Sequence, residues 1–429
     1  MRILFLTHYY RPELGAPQTR LHETAKGLQR LGHEVRVLTG PPHYPDGRTQ
    51  PGYSPWMVRR ESVDGVSVVR LPMVPRPNRG FLDRMIDQAS FAAAALAATP
   101  IVRWSDVVVV ESPPLFLGVT AGIHRLASRR PYLFHVADPW PDFPIEMRAL
   151  HNPLAIRVAR AMETFSYRGA SLITTVSPGL VALLSRKPGA KGKVRLLSNA
   201  VDITRFAPDR SPRETRLEIG WPEARLSLAY VGSVGLAQGL GTLIEAAAPL
   251  ADMGVVVHVV GEGFDRDRLA KEVAARGLDH IRFEAPISPA SVPTVLAAAD
   301  AVVVMLRRGP LYEHSLPTKL VEGLAAGRPL VVSASGDAAD IVEGAGAGFA
   351  AAAEDAGALR EVILRMALST EREAMGRRAR SVADAQYDRR EMVARLASYL
   401  ADIASADSRR SRTSHRLPRL VRASHQKEP

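Results

Sequence analysis

The stretch Pro317–Val332, PTKLVEGLAAGRPLVV, indicates the fold of this chain of 429 residues. It predicts a loop that enters a short helix, a turn at Gly327, and a buried strand that begins at Leu330. Similar units precede it, because short β-rich runs such as Val255–Val260 alternate with helical patterns. This alternation predicts an α/β fold in which helices cover both faces of an open, mostly parallel sheet.

The same stretch contains groups that could bind a ligand. The predicted start of the helix directs backbone N–H groups and the positive end of the helix dipole toward the loop, which suits phosphate oxygens. Lys319 adds a positive charge there. Glu322 lies one turn further, where a carboxylate can accept two hydrogen bonds from a vicinal diol such as a ribose. We therefore predict a nucleotide site, with an ordinary helix cap as the alternative.

The alternating pattern occurs twice, which predicts two domains. A polar, turn-rich stretch, Ser198–Pro208, ends the first series, proline-containing sequence continues to Glu223 as an expected linker, and strands resume at Leu228. A single core rarely organises a chain of this length. We expect two doubly wound, Rossmann-like lobes facing a central crevice. The predicted divisions are a first lobe over 1–205, a second lobe over 206–386, a helix returning to the first lobe over 387–405, and a disordered basic tail over 406–429.

The charge of the chain is uneven. Its formal net charge is +12, and the tail from Ala406 supplies +5 of it, since seven Lys or Arg residues face two acidic ones. Anionic lipid head groups are a plausible partner for this tail. Nucleic acid is not expected as a partner, because no aromatic residues are interleaved with these charges. The absence of cysteine excludes disulfides and thiolate metal sites and is compatible with a reducing compartment.

No apolar run approaches the roughly 20 residues that span a bilayer. The nearest, Phe91–Val102, predicts a buried helix, with a membrane-surface helix as the alternative. The N-terminal residues 1–10 predict a first buried strand rather than a signal peptide. These observations favour a cytoplasmic protein, with attachment to the inner face of the plasma membrane through the tail.

Further candidate groups follow other predicted strands, where ligands bind in such sheets. The glycine-rich turn that begins at Gly232 allows close backbone approach to a phosphate, with a simple tight turn as the alternative. The lone glycine loop at Gly15 could hold a phosphate from the opposite side of the crevice, and the turn at Gly261 closes another strand. His135 and Asp138 lie in a proline-stiffened loop and could position or deprotonate an attacking hydroxyl, unless the loop is only structural. The histidines show no ligand spacing, and Asp265-Arg266-Asp267 begins a helix, so no metal site is predicted.

Several motifs in register resemble the family 4 glycosyltransferases of the GT-B fold, up to about residue 405. The family patterns N-G-V-D…F-x-P, G-x-G-x…L, A-D-v and E-A-M-A-x-G-x-P are matched at Asn199–Pro208, Gly261–Leu269, Ala299–Ala301 and Glu322–Pro329. Finer similarity points to bacterial surface-polysaccharide transferases of the N-acetyl-L-fucosamine type. The segments that carry it are Pro12–Ala16, Ser112–Pro114, Asp138–Asp142, Ala237–Leu240 and Pro317–Lys319.

The resemblance implies transfer of a hexosyl or N-acetylhexosaminyl group from a nucleotide-diphosphate sugar to a hydroxyl, with retention of configuration. It implies no cofactor or obligatory metal, and a lipid-linked saccharide is one possible acceptor. The implied catalytic residues are Asp138, His135 and Lys319. The implied donor-binding residues are Gly15, Ala16, Gly232, Ser233, Gln238, Gly261, Glu262, His314, Leu316, Pro317, Thr318, Lys319 and Glu322.

Two departures from the family pattern leave alternatives open. His314 stands where the family usually has a donor-binding Glu, with Glu313 one place earlier. Ser233 and Gln238 are neutral near positions where the family usually has Arg and Lys. These departures keep a non-catalytic nucleotide-sugar-binding subunit as an alternative. A nucleotide-sugar epimerase, which needs no acceptor, is a second alternative, because such isomerases also use twin Rossmann lobes and the fold alone does not decide.

Overall fold

The computed structural model describes residues 1–13, 15–44, 46–77, 80–206 and 208–414. Within these residues, the chain forms two α/β domains, each built on its own sheet of mostly parallel strands. The predicted pair of Rossmann-like lobes is confirmed.

The first domain contains a sheet of eight strands in the order β3-β4-β2-β1-β5-β6-β7-β8. The strands are β1 Arg2–Leu6, β2 Glu34–Thr39, β3 Arg59–Val63, β4 Val66–Arg70, β5 Val107–Ser112, β6 Tyr132–Val136, β7 Leu172–Thr175 and β8 Val194–Leu196. All neighbours are parallel except the hairpin β3–β4, and strand β3 was not predicted. Residues along β1 alternate between two cores, because Ile3 and Phe5 pack on one face of the sheet and Leu4 and Leu6 on the other.

Among the described residues, seven helices lie between the strands of this domain in sequence: α1 Ala16–Arg30, α2 Phe81–Leu96, α3 Thr99–Trp104, α4 Leu115–Ser128, α5 Asp142–Glu146, α6 Pro153–Gly169 and α7 Pro178–Ser185. The expectation of one buried helix over Phe91–Val102 was wrong in two respects. The segment is divided between α2 and α3, and α2 buries only one face. Phe91, Ala92 and Ala95 pack into the core, while the opposite face of α2 is open to solvent.

The second domain contains a parallel sheet of six strands in the order β11-β10-β9-β12-β13-β14. The strands are β9 Leu226–Val231, β10 Val255–Val260, β11 Ile281–Glu284, β12 Ala301–Met305, β13 Leu330–Ser333 and β14 Gly348–Ala351. The helices are α8 Pro212–Ile219, α9 Gly241–Ala247, α10 Arg266–Ala275, α11 Val292–Ala298, α12 Thr318–Ala325, α13 Asp337–Gly344, α14 Ala356–Leu368 and α15 Arg372–Gln386. Strands β9, β12 and β13 are fully buried, as expected of a sheet covered on both faces.

The segment expected to be a linker up to Glu223 is only partly one. Helix α8 forms within it and packs on α11. Arg216 of α8 donates a hydrogen bond to the carbonyl oxygen of Ala298 over 3.0 Å and pairs with Asp300 at 3.1 Å. These buried polar contacts make α8 part of the second domain, so the passage between domains is shorter than predicted.

A last helix, α16 Arg389–Ser414, returns to the first domain as expected. Its Val393, Leu396 and Leu400 join the core around α1. The disorder expected from Ala406 was wrong for residues 406–414, because the helix continues there and Asp407 pairs with Arg125 at 2.5 Å. The remainder of the predicted tail, 415–429, lies outside the described residues. Among the described helices, none is long and apolar enough to cross a bilayer.

Candidate active site

A cleft of about 390 Å³ lies between the two domains. It is formed at the carboxyl ends of both sets of strands, where ligands bind in folds of this kind. The first domain contributes Pro17, Arg20, Ala137, Asp138, Phe143, Met147, Val176 and Asn199 to its lining, and the second contributes Ala237, Gln238, Leu306, Tyr312, Ser315, Leu316, Pro317 and Thr318. The structure thus brings predicted acceptor-side and donor-side residues to opposite walls of one cavity.

The N-terminus of α12 forms part of the donor-side wall. Pro317 occupies the N-cap position, and no side chain caps the helix. The loop before it is held by Asn199, whose side-chain amide donates a hydrogen bond to the Leu316 carbonyl oxygen over 2.7 Å. An uncapped helix start offers N–H groups and a positive dipole end to an anion.

Lys319 lies in the first turn of α12 and points back toward β9. Its ammonium group lies 3.9 Å from the ring centroid of Tyr230 and donates a hydrogen bond to the Tyr230 hydroxyl. Gly232 permits this approach: its φ is 135°, and a Cβ there would lie 3.2 Å from the Lys319 Nζ. Burial lowers the pKa of Lys319 to about 7, against the opposing effect of Glu322.

Glu322 lies one turn after Lys319 on the same helix and is half-buried. Burial raises the pKa of this carboxyl to about 7, and the positive charges of Lys319, Arg205 and Arg389 act in the opposite direction. A ligand that hydrogen-bonds to the ionised carboxylate would favour its charged form. Arg205 and Arg389 come from the two segments that pass between the domains, so they bring positive charge to Glu322 from outside α12.

Asp138 lies on the opposite wall, in the loop after β6. Its side chain is open to solvent inside the cleft. The surrounding protein still removes part of the water around the carboxyl, and this desolvation raises the pKa of Asp138. Arg20 of α1 opposes that shift. Arg20 is in turn paired with Glu111 at the end of β5, so the charge beside Asp138 is held in place by a second carboxylate.

His135 lies on β6 itself and is only 3% exposed. Its Nδ1 is 3.0 Å from the Thr174 hydroxyl, and its buried Nε2 has no hydrogen-bond partner among the described residues. Burial, with a further contribution from Arg20, holds the pKa of His135 well below its usual range, so the ring is neutral. Asp138, rather than His135, is therefore placed to meet a ligand in the cleft.

The glycine turns of the second domain lie against each other. A Cβ on Gly261 would lie 2.0 Å from the carbonyl oxygen of Gly232, so only glycine fits there. The Val234 amide donates to the carbonyl oxygen of Glu262 over 2.8 Å, while the Glu262 side chain is exposed and lies 3.6 Å from Arg266. These contacts hold the backbone beside Lys319, but they leave the Glu262 side chain pointing outward.

The remaining predicted residues surround the cleft. Gly15 occupies the N-cap position of α1 and Ala16 begins that helix, immediately before the cleft residue Pro17. Ser233 is exposed, and Gln238 accepts a hydrogen bond from the Gly235 amide over 3.1 Å.

His314 contacts the first domain. Its carbonyl oxygen accepts a hydrogen bond from the Ser177 hydroxyl over 2.6 Å. Its ring Nδ1 lies 3.7 Å from the Asp337 carboxylate, which in turn accepts a hydrogen bond from the Gly179 amide. His314 therefore lies where the two domains meet.

Sequence reasoning missed Arg20, Glu111 and Tyr230. Glu111 offered a detectable signal, because a charged residue at the end of the buried run Val107–Val110 points to the ligand edge of the sheet. Arg20 and Tyr230 offered no such signal. Arg20 lies within a helix and Tyr230 within a buried strand, and neither position shows from the sequence which residue it will contact.

The histidines were also wrongly interpreted as scattered. Among the described residues, His8, His43 and Asp87 form a buried group whose side-chain atoms lie within 4.8 Å of one another. Asp87 lies 2.6 Å from the His8 Nε2 and 2.9 Å from the His43 Nε2, one carboxylate oxygen for each ring. Both oxygens are thus engaged, and the cluster joins the loops after β1 and β2 to α2.

Comparisons with known proteins agree with this architecture. Residues 15–200 match a family model described as the glycosyl transferase 4-like domain, and residues 212–382 match one described as glycosyl transferases group 1. A protein of Escherichia coli K12, "Putative colanic acid biosynthesis glycosyl transferase WcaI", is 29% identical over 343 residues, 78% of this chain and 83% of that protein. The 2-deoxystreptamine N-acetyl-D-glucosaminyltransferase of Streptomyces fradiae is 26% identical over 368 residues, 80% and 82% of the two chains.

Solved structures show the same fold at lower identity. A sucrose-phosphate synthase of Thermosynechococcus elongatus superposes with a TM-score of 0.78 at 18% identity, over 94% of this chain and 99% of that one. HepE of Anabaena, solved in complex with UDP-glucose, gives a TM-score of 0.71 at 18% identity, over 94% and 100% of the two chains. The first domain of this chain is therefore similar in sequence to the glycosyl transferase 4-like domain, and the second is similar to the glycosyl transferases group 1.

Proposed function

We propose that this protein transfers a sugar from a nucleotide-diphosphate donor to a hydroxyl acceptor in the synthesis of a bacterial cell-surface polysaccharide, with retention of configuration. The observation that carries the proposal is the uncapped start of α12, where Pro317 and Thr318 line the same cleft as Asp138 and Lys319 follows in the first turn of the helix. A group that binds diphosphate then faces a group that can position a hydroxyl. The sequence similarity to WcaI supports the polysaccharide pathway.

On the donor side, the diphosphate binds the N–H groups of residues 317–319 and the ammonium of Lys319, with the Gly15–Ala16 turn opposite. Glu322 holds the ribose hydroxyls. Negative charge grows on the leaving diphosphate as the bond between the sugar and the diphosphate breaks. N–H groups and a positive charge that are fixed in place before the reaction therefore stabilise the transition state more than the ground state. This electrostatic role needs no cofactor and no obligatory metal.

On the acceptor side, Asp138 positions the attacking hydroxyl and accepts its proton. Desolvation raises the pKa of Asp138, which makes its carboxylate a stronger base than that of an ordinary exposed Asp. Arg20, which is paired with Glu111, places a positive charge near Asp138, and the neutral ring of His135 lies at the end of the strand before this loop. Movement of the two domains toward each other would exclude water and limit hydrolysis of the donor.

We further propose that the enzyme works at the inner face of the plasma membrane on a lipid-linked saccharide, with hexosyl or N-acetylhexosaminyl transfer as the two donor classes. The basic residues 409–427 would interact with anionic lipids. Neither nucleic acid nor a metal ion enters this proposal.

The test is a thermal-shift screen of nucleotide sugars, followed by incubation of each stabilising donor with saccharide acceptors. A donor that binds the folded state raises the melting temperature by mass action. Transfer of the sugar, with the anomeric configuration determined by NMR, would support the proposal. Conversion of the donor without an acceptor would show an epimerase instead, and binding without either reaction would show a non-catalytic subunit.

A further inference from the structure

The first domain exposes an apolar tip on the loop that precedes β3. Trp56 and Met57 are each 68% exposed and Val58 is 57% exposed. Three consecutive large apolar side chains that are each more than half exposed form a protruding tip rather than a groove. Isolated exposed apolar residues are common, but a contiguous group of this kind indicates a binding surface.

Helix α2 adds to this surface. Leu82 is 72% exposed and Ile86 is 37% exposed, on the face of α2 that is turned away from the core. Residues 73–76 connect the two features, because the Met73 amide donates to the Pro55 carbonyl oxygen over 2.9 Å and the Val74 amide donates to the Ser90 hydroxyl of α2 over 2.9 Å. The tip and the helix therefore flank one segment. We name Trp56, Met57, Val58, Leu82 and Ile86 the apolar rim.

Positive charge surrounds the apolar rim. Arg59 and Arg60 follow the tip directly, Arg76 lies in the connecting segment and Arg84 lies on α2, and all four are exposed. Arg59 is paired with Glu61 at 2.9 Å, and Asp83 is half-buried beside Arg84, so the balance around the rim remains positive. Apolar side chains that include a Trp, bordered by arginines, match the interface of a bilayer with anionic head groups.

The apolar rim also lies on the reactive side of the domain. The loops after β2 and β4 leave the same edge of the sheet as the Asp138 loop after β6. Helix α2 contacts the Asp138 loop directly at one point: the ring of Phe81, at the start of α2, stacks on Trp140 with ring centroids 6.1 Å apart. A molecule anchored in a bilayer at this surface would have its head group near the cleft.

We propose that the apolar rim inserts into the interfacial region of an anionic bilayer and fixes the first domain there with its cleft close to the membrane. The occupant of this surface is the lipid bilayer. The inference rests on the proposed function only for the statement that a lipid-linked acceptor is delivered to the cleft; binding to the bilayer stands on the rim itself.

Tryptophan fluorescence of the full chain tests the insertion. Trp56 is the exposed one of the four tryptophans, since Trp104 and Trp140 are half-buried and Trp221 is buried. Vesicles of phosphatidylglycerol mixed with phosphatidylcholine should shift the emission to shorter wavelength, and Trp56→Phe should abolish the shift while it preserves binding. An unchanged emission spectrum on bound vesicles would overturn the proposal.

Affinity measurements provide the second test. The double variant Trp56→Ser with Met57→Ser should bind the same vesicles about tenfold more weakly or worse, because two large apolar side chains no longer enter the bilayer. Both positions are exposed, so the fold should not change, and Leu368→Ser on α14, 60% exposed in the second domain, is the matched control. Equal affinities of the double variant and the control would refute the role of the rim.

A soluble acceptor separates this inference from the proposed function. If the protein is a transferase, the double variant should transfer sugar to a soluble acceptor at the unaltered rate and lose activity only with acceptor in vesicles. A matching loss with the soluble acceptor would place the tip in the substrate site and overturn the membrane role. Absence of transfer by the unaltered chain would refute the proposed function, while the vesicle measurements would still decide the role of the rim.

Discussion

The ammonium group of Lys319 lies 3.9 Å from the centroid of the Tyr230 ring, which links the start of α12 to the end of β9 at the donor side of the cleft. A cation over an aromatic face is held in position even without a ligand. The neighbouring Gly232 has no Cβ that would occupy the space beside the ammonium. The charge that would meet a diphosphate is thus fixed before the donor arrives.

Replacing Glu322 should weaken donor binding. Glu322→Ala removes a carboxylate that accepts hydrogen bonds from the ribose, so the expected loss is about 1.5–3 kcal/mol of binding free energy. Isothermal titration with the donor found in the thermal-shift screen measures it. Glu361→Ala, an exposed acidic residue on α14, is the control. Donor affinity equal to that of the control would refute the assignment of Glu322.

Donor binding should weaken both when the pH falls below neutrality and when it rises above neutrality. The pKa of Glu322 is raised to about 7, so acidification below neutrality protonates the carboxylate that holds the ribose. The pKa of Lys319 is lowered to about 7, so alkaline pH removes the charge that holds the diphosphate. Affinity should therefore be highest near pH 7 and fall on either side.

The two limbs of this profile can be assigned by substitution. Glu322→Gln should flatten the acidic limb, because an amide does not titrate. Lys319→Arg should flatten the alkaline limb, because a guanidinium keeps its charge in proteins. A profile that is flat for the unaltered protein, or that both variants leave as it was, would contradict the assignment.

Asp138→Asn should separate binding from transfer. The amide keeps the size of the side chain but cannot accept a proton, so we expect kcat to fall about a hundredfold or more. Donor affinity should stay as it was, since Asp138 lies on the opposite wall from α12. A variant that transfers sugar at the original rate would exclude Asp138 as the base, and one that loses donor binding would place it on the donor side.

The cluster of Asp87 with His8 and His43 should stabilise the first domain. Asp87→Asn removes the buried charge that both rings face, and the expected loss is about 3–5 kcal/mol in the free energy of unfolding. Urea denaturation followed by circular dichroism measures it. Asp106→Asn, which breaks a partly exposed pair with Arg2, should cost at most about 1 kcal/mol. Similar values for the two variants would refute a special role for Asp87.

The same cluster predicts how stability changes with pH. The carboxyl of Asp87 has a pKa well below 3.8 because both histidines face it, so its contribution is present above pH 3.8 and is lost as acid protonates it. The pKa of His43 is raised above 6.5, since hydrogen bonds to Asp87 and Pro41 outweigh burial, so its contribution is present below pH 6.5 and declines as the pH rises through the raised value. The excess stability over Asp87→Asn should thus be greatest between these limits, as unfolding at several pH values would show.

The basic tail should contribute to vesicle binding separately from the apolar rim. A chain that ends at Asp407 lacks seven Lys or Arg residues and keeps the acidic partner of Arg125. Each such cation near an anionic surface contributes up to about 1 kcal/mol, and salt screens the effect. The shortened chain should therefore bind phosphatidylglycerol vesicles more weakly at low salt. Unchanged binding there would remove the tail from the proposal.

The sequence predicted most of the fold because the patterns that indicate strands, helices and turns are local. Alternating strand and helix patterns, glycine turns and the polar break after Leu197 need no knowledge of distant contacts. Helix α8 was missed because its polar composition resembles a linker, and only burial of Arg216 against α11 reveals that it packs. Strand β3 was missed because its exposed edge position leaves an irregular, charged pattern.

The candidate site was predictable in part for the same reason. Lys319, Glu322 and Asp138 follow strands or open a helix, so their side of the sheet follows from the parallel topology. The partners Tyr230, Arg20 and Glu111 are distant in sequence and meet only when the fold closes. His8, His43 and Asp87 illustrate the limit most clearly, since 79 residues separate the first from the last.

The chain crosses between the domains twice, and the two crossings are joined. The Val201 amide donates to the Tyr387 carbonyl oxygen over 3.0 Å, and the Arg389 amide donates to the Val201 carbonyl oxygen over 2.9 Å. Because the outgoing and returning segments are tied at this point, they form a single pivot. We expect the domains to rotate about this pivot as a hinge rather than to slide past each other. Asp138 and Lys319 would then move closer together whenever the cleft closes.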